Sequence, residues 1–333
     1  MKKLNYILLA MLVLVLAACG KDEVTKTEDA KDELLNVYTT VYPLQYFTEV
    51  IGGDNVDVQS IYPAGANEHS FEPTQKDMMS LADADVFFYI GLGLEGFVEN
   101  VKKTLANEDV EMITTANNIS EENLHISTGH THAEAIDAHD EHNHEGHEHE
   151  NEATEEEQNH EHDSHVWLSP VLSQELALVI KETLVEKLPE HEAEFNKNYE
   201  QLVADLEALH ADFEAMAADT TNKTFFVSHA AFGYIAGHYG FNQVPVAGLN
   251  SQSEPSQKEL TAIVDLAKKE DIKHIFFEQN VSSNLTEVIK KELGADTLIL
   301  HNLSVLTKED ISNDETYFTL MRKNMEALKT ALQ

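Results

Sequence analysis

The sequence predicts an α/β protein with two lobes, each containing a parallel sheet, joined by a long rigid helix. Two observations lead to this prediction. Short runs of β-branched and aromatic residues alternate with amphipathic stretches on both sides of residues 171–218, as in α/β units with parallel strands. The chain, at 333 residues, is also long enough for roughly two domains that each bury a core.

The predicted strands fall into two sets of four. They cover residues 34–40, 56–63, 85–91 and 110–114 in the first lobe, and 223–228, 242–248, 272–278 and 297–301 in the second. The predicted helices lie between them, at 43–51, 74–83 and 95–106, then at 229–239, 256–270, 284–293 and from about 315. Each lobe therefore alternates strand and helix, and the lobes are expected at residues 34–188 and 220–333.

Residues 189–219 are predicted to form the connecting helix, which follows a break at Pro189. Large apolar side chains recur in this segment at spacings of three and four, which places them on one helix face. They are Phe195, Tyr199, Leu202, Leu206, Leu209 and Phe213. A continuous helix of this length would make a stiff connection between the lobes.

The N-terminus has the layout of an export signal at residues 1–18, in which two lysines precede a short apolar run. The run ends in "LAAC", which resembles the lipobox of bacterial lipoproteins and predicts a lipid on Cys19, the only cysteine. The alternative is an ordinary cleaved signal. Residues 19–33 are expected to be a solvated tether, so the protein would be extracytoplasmic and anchored to the bacterial cell membrane.

The net charge of the chain limits the kinds of molecule that it is expected to bind. With 60 acidic and 22 basic side chains, the net charge is −38, which repels phosphate backbones and attracts cations. Nucleic acid is therefore not an expected partner. A monomer is the expected state.

Residues 117–163 are predicted to be a disordered insertion in the first lobe, because acidic residues and histidine replace large apolar ones. Its densest run, "HDEHNHEGHEHE", spans residues 139–150 and has no visible means of holding a fixed geometry. The five histidines of this run are His139, His142, His144, His147 and His149.

Three other histidines have more structured surroundings: His69 in "GANEHSFEPT", His165 in "DSHVWLSP" and His229 in "FFVSHAAFGY". His229 follows a predicted strand, and His69 lies in the loop after another. Open α/β sheets bind ligands beyond the carboxyl ends of their strands, so these loops can converge in a cleft between the lobes. Three imidazoles suit Zn²⁺, with a further position for a carboxylate or water.

The chain resembles the zinc-binding lipoproteins of ABC-type metal uptake systems, known as cluster A-I or cluster 9 substrate-binding proteins. The motifs "YPLQYFTEVIGG", "GANEHSFEPTQKD", "DSHVWLSPVL", "SHAAFGYIAGHYG", "VAGLNSQSEPS" and "IFFEQNVSS" carry this resemblance over residues 34–333. It implies that His69, His165 and His229 are metal ligands. Manganese-binding members tend to have a carboxylate in place of the third histidine, so His229 favours zinc.

The fourth ligand is where the sequence departs from its Gram-positive relatives. The resemblance implies a glutamate after the last strand, but the corresponding stretch "HNLSVL" places Ser304 there, and a hydroxyl is a poor zinc ligand. Water or Glu68, beside His69, is the preferred alternative. Glu278 is a further candidate, although this carboxylate at a strand end could equally hydrogen-bond a helix N-terminus.

The expected function is that of a receptor that captures Zn²⁺ and delivers it to the membrane subunit of an ABC permease, without catalysis. The histidine-rich insertion is expected to gather zinc weakly near the tight site. The alternative for this insertion is a dispensable solvated loop. Rival functions are a manganese receptor, a metal-dependent adhesin, and a zinc enzyme, for which no general base is evident.

Overall fold

Two four-stranded parallel sheets organise the chain in this computed structural model, which describes residues 34–129, 162–249, 255–279 and 284–333. The first sheet has the order β2-β1-β3-β4 and the second has the equivalent order β6-β5-β7-β8. The strands are β1 (Leu35–Thr39), β2 (Val56–Ser60), β3 (Val86–Tyr89), β4 (Glu111–Thr114), β5 (Thr224–His229), β6 (Asn242–Ala247), β7 (His274–Phe277) and β8 (Asp296–Ile299). In each sheet the chain reverses its winding direction between the first and third strands, which is where ligands bind in such folds.

Helices connect and cover these strands. In the first lobe they are α1 (Tyr42–Gly52), α2 (Gln75–Ala82), α3 (Val98–Thr104), α4 (Glu121–Leu124) and α5 (Pro170–Lys187). The long helix α6 (Glu192–Asp219) follows, and then come α7 (Gly233–Tyr239), α8 (Gln257–Lys269), α9 (Asn284–Leu293), α10 (Lys308–Ser312) and α11 (Tyr317–Leu332). Single 3-10 turns occupy Gly53–Asn55, Thr115–Asn118, Val166–Leu168 and Pro189–His191.

Local sequence explains where several helices begin. Capping boxes start α2 at Thr74 and α8 at Ser256, where the hydroxyl accepts a hydrogen bond from the third helical N–H and the acidic side chain there returns one. Ser169 caps α5, and Pro170 occupies its first position, where no N–H is needed. These features account for the agreement between the predicted and observed helix starts.

The connecting helix α6 joins the lobes through packing as well as through the chain. It contacts α1 and α5 of the first lobe, and α7 and α11 of the second. Its predicted apolar face is buried, apart from the partly buried Tyr199. The closing helix α11 also contacts the first lobe, because Tyr317 packs edge-on against Phe47 with ring centroids 5.0 Å apart. One hydrophobic core therefore runs through both lobes, with a smaller core under α8 and α9.

The predicted fold class is confirmed, but the predicted start of the insertion at residue 117 is wrong. Residues 117–129 are ordered: α4 buries Leu124, and the Thr128 N–H donates to the Gly233 carbonyl 3.2 Å away. Contacts with the second lobe stabilise this segment, and low-complexity composition does not reveal such contacts. Cys19 and the five histidines of residues 139–150 lie outside the described residues. Within the ranges described, no helix is both long enough and apolar enough to cross a membrane.

Candidate metal centre

Three loops place the predicted histidines at one point between the sheets. Glu68 and His69 lie in the loop after β2, where the Asn67 side chain accepts a hydrogen bond from the His69 N–H at 3.1 Å. His165 directly precedes the 3-10 turn before α5, and His229 is the last residue of β5. His229 thus stands at the carboxyl end of a central strand, the position that the parallel topology predicts for a ligand-binding group.

Glu68, His69, His165 and His229 each bring one donor atom to within 4.8 Å of the others. The Nε2 atoms of His165 and His229 are 3.3 Å apart. This matches the separation of about 3.3 Å between two nitrogens bound tetrahedrally to one zinc ion with bonds of about 2.0–2.1 Å. The donors come from both lobes, so a bound ion would connect the two.

His69 supplies the observation most specific to a metal. Its side chain is only 7% exposed, and its Nε2 atom is buried without a hydrogen-bond partner among the described residues. A buried nitrogen left in this state costs free energy unless something binds it. A metal ion at the centre of the four donors would satisfy this atom.

Two carboxylates hold the other two imidazoles in the orientation that a metal requires. Asp163 Oδ1 lies 2.8 Å from His165 Nδ1, and Glu278 Oε1 lies 2.6 Å from His229 Nδ1. In each pair the carboxylate accepts the Nδ1 proton, which leaves Nε2 with its lone pair directed at the cluster. Glu278 is therefore a partner of His229, and its oxygen is not among the four converging donors.

Asn302 links the carboxylates around the site. Its Nδ2 donates to Glu68 Oε1 at 3.1 Å and to Glu278 Oε2 at 3.0 Å. Its Oδ1 accepts from the Ser304 hydroxyl at 2.9 Å, so this hydroxyl supports the amide. The serine at the expected glutamate position thus has a structural role. Trp167, whose Nε1 donates to the Asn302 carbonyl at 2.7 Å, packs beside His165.

The protonation of the site differs from one imidazole to the next. Burial, together with the nearby His165 and His229, lowers the pKa of His69 to about 2, so this ring is neutral. Burial also lowers the pKa of His229, but the carboxylates of Glu278, Glu68 and Asp163 together outweigh this effect and raise that pKa above the usual value. Burial raises the pKa of the Glu68 carboxyl, and the neighbouring imidazoles offset this only partly. Zinc must therefore compete with a proton at His229.

Sequence reasoning missed two residues of this site, Asp163 and Asn302. The position of Asp163, two residues before His165, could have indicated its role. In the structure it accepts hydrogen bonds from the His165 backbone N–H, at 2.9 Å, and from the His165 ring. Nothing in the sequence indicated the role of Asn302, because its partners Glu68 and Glu278 are distant from it in the sequence. The predicted His69, His165, His229 and Glu68 are brought together.

A pair of parallel-sheet lobes with three imidazoles and a carboxylate between them defines a two-lobed α/β metal-binding protein. The chain belongs to the family described as zinc-uptake complex component A, periplasmic, whose sequence profile matches residues 37–331. The resemblance drawn from the sequence motifs is thereby confirmed.

Individual relatives agree with the family assignment. The high-affinity zinc uptake system protein ZnuA of Bacillus subtilis is 34% identical over 324 residues, which cover 97% of this chain and 96% of that protein. The zinc-binding lipoprotein AdcA of Streptococcus pneumoniae is 34% identical over 329 residues, which cover 99% of this chain and 61% of that protein. The chain spans about half the length of the Streptococcus pyogenes zinc-binding protein AdcA, with 55% covered.

A solved structure shows the same architecture. The Zn(II)-bound ZnuA-like domain of Streptococcus pneumoniae AdcA superposes with a TM-score of 0.70 at 30% identity, covering 90% of this chain and 99% of that domain. The fold is therefore that of a ZnuA-like metal-binding domain.

Proposed function

We propose that the protein is an extracytoplasmic receptor that binds Zn²⁺ through Glu68, His69, His165 and His229 and delivers it to an ABC permease. The observation that carries this proposal is the convergence of these four donors around the buried His69 Nε2 atom, which has no hydrogen-bond partner among the described residues. Membership of the zinc-uptake family supports zinc as the cargo and uptake as the process.

The donor set favours zinc over manganese. Three imidazole nitrogens and one carboxylate suit a tetrahedral Zn²⁺ ion, whereas Mn²⁺ prefers more oxygen donors and a higher coordination number. Glu68 is proposed as the fourth ligand, because its carboxylate is one of the converging donors, whereas that of Glu278 is not, and the Ser304 hydroxyl donates to Asn302 Oδ1. Replacing His229 by aspartate is expected to reduce the preference for zinc over manganese.

The test is a zinc titration against a chelator of known affinity, with soluble protein that starts after Cys19. We expect one tight site, which His229→Ala removes and His191→Ala leaves intact. His191 is a matched control, because its Nδ1 faces the Glu194 carboxylate at 3.7 Å on α6 and the residue is not part of the converging cluster. Tight binding that persists in His229→Ala would refute the ligand assignment.

Delivery to a permease is tested by zinc uptake in cells that lack the native receptor. We expect the unaltered chain to restore uptake at limiting zinc and His229→Ala to fail, with both proteins present at equal levels. Restoration by His229→Ala would separate uptake from the proposed metal centre.

The histidine-rich insertion is proposed as an accessory collector of zinc. Its many imidazoles and carboxylates support weak binding at several positions, which raises the local zinc concentration near the cleft. Replacing His139, His142, His144, His147 and His149 by asparagine is expected to slow uptake only at limiting zinc, and to leave the tight site unchanged. Equal uptake at every zinc concentration would favour a dispensable loop.

Anchoring through a lipid on Cys19 is proposed from the "LAAC" motif and from the description of the Streptococcus pneumoniae relative as a lipoprotein. We expect the protein to remain with the membrane fraction and Cys19→Ala to release it. Membrane retention of Cys19→Ala would show that another segment holds the protein there.

A further inference from the structure

The loop that carries Asn302 follows β8 and contains a residue in a disfavoured backbone conformation. Leu303 has a φ of 58°, in the left-handed region that residues other than glycine rarely adopt. Its side chain is fully buried, so a glycine in its place would leave a gap in the core. Contacts with the rest of the chain must therefore hold this loop in its conformation.

His301 supplies one of these contacts. Its Nδ1 atom accepts a hydrogen bond from the Leu303 backbone N–H at 2.9 Å. Because this nitrogen is an acceptor, the proton of the ring is on Nε2, which donates to Asp310 Oδ2 at 3.2 Å. The imidazole thus joins the strained residue to α10 and uses a different nitrogen for each partner.

Two helices of the second lobe anchor His301. The Asn324 side chain of α11 accepts from the His301 backbone N–H and donates to the His301 carbonyl, both at 2.7 Å. Asp310 Oδ2 also accepts from the Thr307 N–H at 2.8 Å, in the capping box that starts α10. His301 and Asn324 are both buried. The ring is therefore fixed on its backbone side and at Nε2.

The turn that His301 stabilises also places the Asn302 amide. Asn302 Oδ1 accepts from the Ser304 backbone N–H at 3.1 Å, so residues 301 and 302 each accept from the N–H two positions further along. The two turns overlap, and the conformation of Leu303 belongs to both. Loss of the acceptor at His301 would therefore allow the Asn302 side chain to move.

Gln279 connects the same ring to the strand that ends at the metal centre. It directly follows Glu278, and its Nε2 lies 2.9 Å from His301 Nδ1 and 3.3 Å from Asn302 Oδ1. Asn302 in turn donates to Glu68 and Glu278. A path of hydrogen bonds thus runs from His301 through Asn302 to both carboxylates.

We propose that His301 is a positioning residue for zinc binding, which acts through Asn302 on the carboxylates of Glu68 and Glu278. Its Nδ1 atom holds the strained loop, and its Nε2 proton leaves Nδ1 free to accept. His301 is not one of the four converging donors, so its effect on the metal is indirect. This inference rests on the proposed zinc-receptor function and adds a residue that does not touch the metal.

Two substitutions in the full-length protein separate the two ring nitrogens. His301→Asn keeps an amide oxygen near the position of Nδ1, whereas His301→Gln keeps an amide nitrogen near that of Nε2. We expect His301→Gln to weaken zinc binding by about 2- to 30-fold, the effect of residues that couple to a site without touching its ligand. His301→Asn is expected to stay within about twofold of the native affinity.

Competition with a chelator of known affinity measures both variants. A native zinc affinity in His301→Gln would overturn the proposal. Equal losses in the two variants would also overturn it, because they would show that the acceptor at Nδ1 is not what zinc binding requires.

Trp167 reports the position of the loop without any metal. It is the only tryptophan in the chain, and its Nε1 donates to the Asn302 carbonyl at 2.7 Å. We expect the tryptophan emission of the zinc-free protein to change in His301→Gln and to stay native in His301→Asn. A general loss of stability would leave the emission of the folded protein as it is, so unchanged emission in His301→Gln would refute the positioning role.

His210 provides a matched control. Its Nδ1 lies 3.0 Å from the Tyr239 hydroxyl, where α6 meets α7, and it is not one of the converging donors. His210→Gln is expected to leave zinc affinity and Trp167 emission unchanged, whatever its effect on unfolding by urea. A loss of affinity equal to that of His301→Gln would show that any disturbed histidine weakens zinc binding, and the proposal would fail.

His229→Ala keeps this inference separate from the proposed function. If the native protein has no tight site, or if the site survives His229→Ala, the cleft assignment fails, and the Trp167 emission still tests whether His301 holds the loop. If the tight site depends on His229 but is unchanged in His301→Gln, only the positioning role fails.

Discussion

Replacing Glu278 by glutamine changes a carboxylate that touches a proposed zinc ligand without being one. In the native protein Glu278 Oε1 accepts from His229 Nδ1 at 2.6 Å and from the Ser228 hydroxyl at 2.5 Å. Glutamine has nearly the same shape and keeps an oxygen for His229. The substitution therefore removes the negative charge while leaving the imidazole in its orientation.

The expected loss of zinc affinity is about 10- to 100-fold, the usual effect of changing a carboxylate behind a metal-bound histidine, or about 1.4–2.7 kcal/mol. A second cost arises at Asn302, whose Nδ2 donates to Glu278 Oε2 at 3.0 Å. In the variant two NH₂ groups face each other there, so a hydrogen bond worth about 1 kcal/mol is lost from the folded state.

The pH dependence gives a sharper test than the affinity at one pH. Burial lowers the pKa of His229, but the nearby carboxylates, with Glu278 the strongest of them, together raise it above the usual value, so protons compete with zinc at this ring in the native protein. Without the carboxylate the pKa of His229 falls, and proton competition begins at a lower pH. The ratio of native to variant affinity is therefore expected to be larger at pH 9 than at pH 6.

The assay is competition with a chelator of known affinity at pH 6, 7.5 and 9, for the native protein and Glu278→Gln. Glu194→Gln serves as a matched control, because Glu194 also lies beside a histidine, His191, but outside the metal cluster. A loss of about 10- to 100-fold is expected for such a carboxylate. If the zinc affinities of the native protein and the variant agree within about twofold at pH 9, the proposed role of Glu278 is refuted. A ratio that stays constant with pH would refute the proton competition.

Three further predictions concern folding stability. Asn302→Leu leaves two buried carboxylates without a common donor and is expected to lower the free energy of unfolding by about 2 kcal/mol or more, measured by urea denaturation of the zinc-free protein; an unchanged midpoint would contradict this. Gly237→Ala would place a Cβ atom 1.7 Å from the Ile126 carbonyl oxygen and is expected to cost about 1–3 kcal/mol. Gly96→Ala is its control, because among the described residues, its chain neighbours apart, no atom lies within 4 Å of the added Cβ, and equal stability of the two variants would contradict the clash. Free zinc at about 100 times its dissociation constant is expected to stabilise the protein by about 2.7 kcal/mol, an effect that a chelator and His229→Ala should both abolish in thermal unfolding.

The secondary structure was largely predictable because local rules determine it. Short β-branched and aromatic runs indicated the eight strands that the structure describes, and the amphipathic stretches between them indicated α2 and α8. The spacing of apolar residues likewise indicated the buried face of α6. Such features depend on residues within a few positions of one another, so one sequence is sufficient to recognise them.

The insertion shows where this reasoning stops. Its composition predicts disorder from residue 117, yet the flank up to residue 129 is ordered against the second lobe. The close approach of Ile126 to Gly237 requires a glycine on a helix more than a hundred residues away. The contact between these two segments cannot be predicted from the sequence of either one, because it exists only after the lobes have folded together.

The sequence by itself determined the types of ligand and the strand ends that carry them, since His69, His165 and His229 stand in loops that a parallel topology directs to one edge. Only the tertiary structure decided which carboxylates serve each imidazole. Asn302 holds Glu68 and Glu278 together, and Ser304 supports that amide although its position had suggested a ligand. The physical reason is that hydrogen bonds between distant loops depend on distances that are set only when the loops are packed side by side.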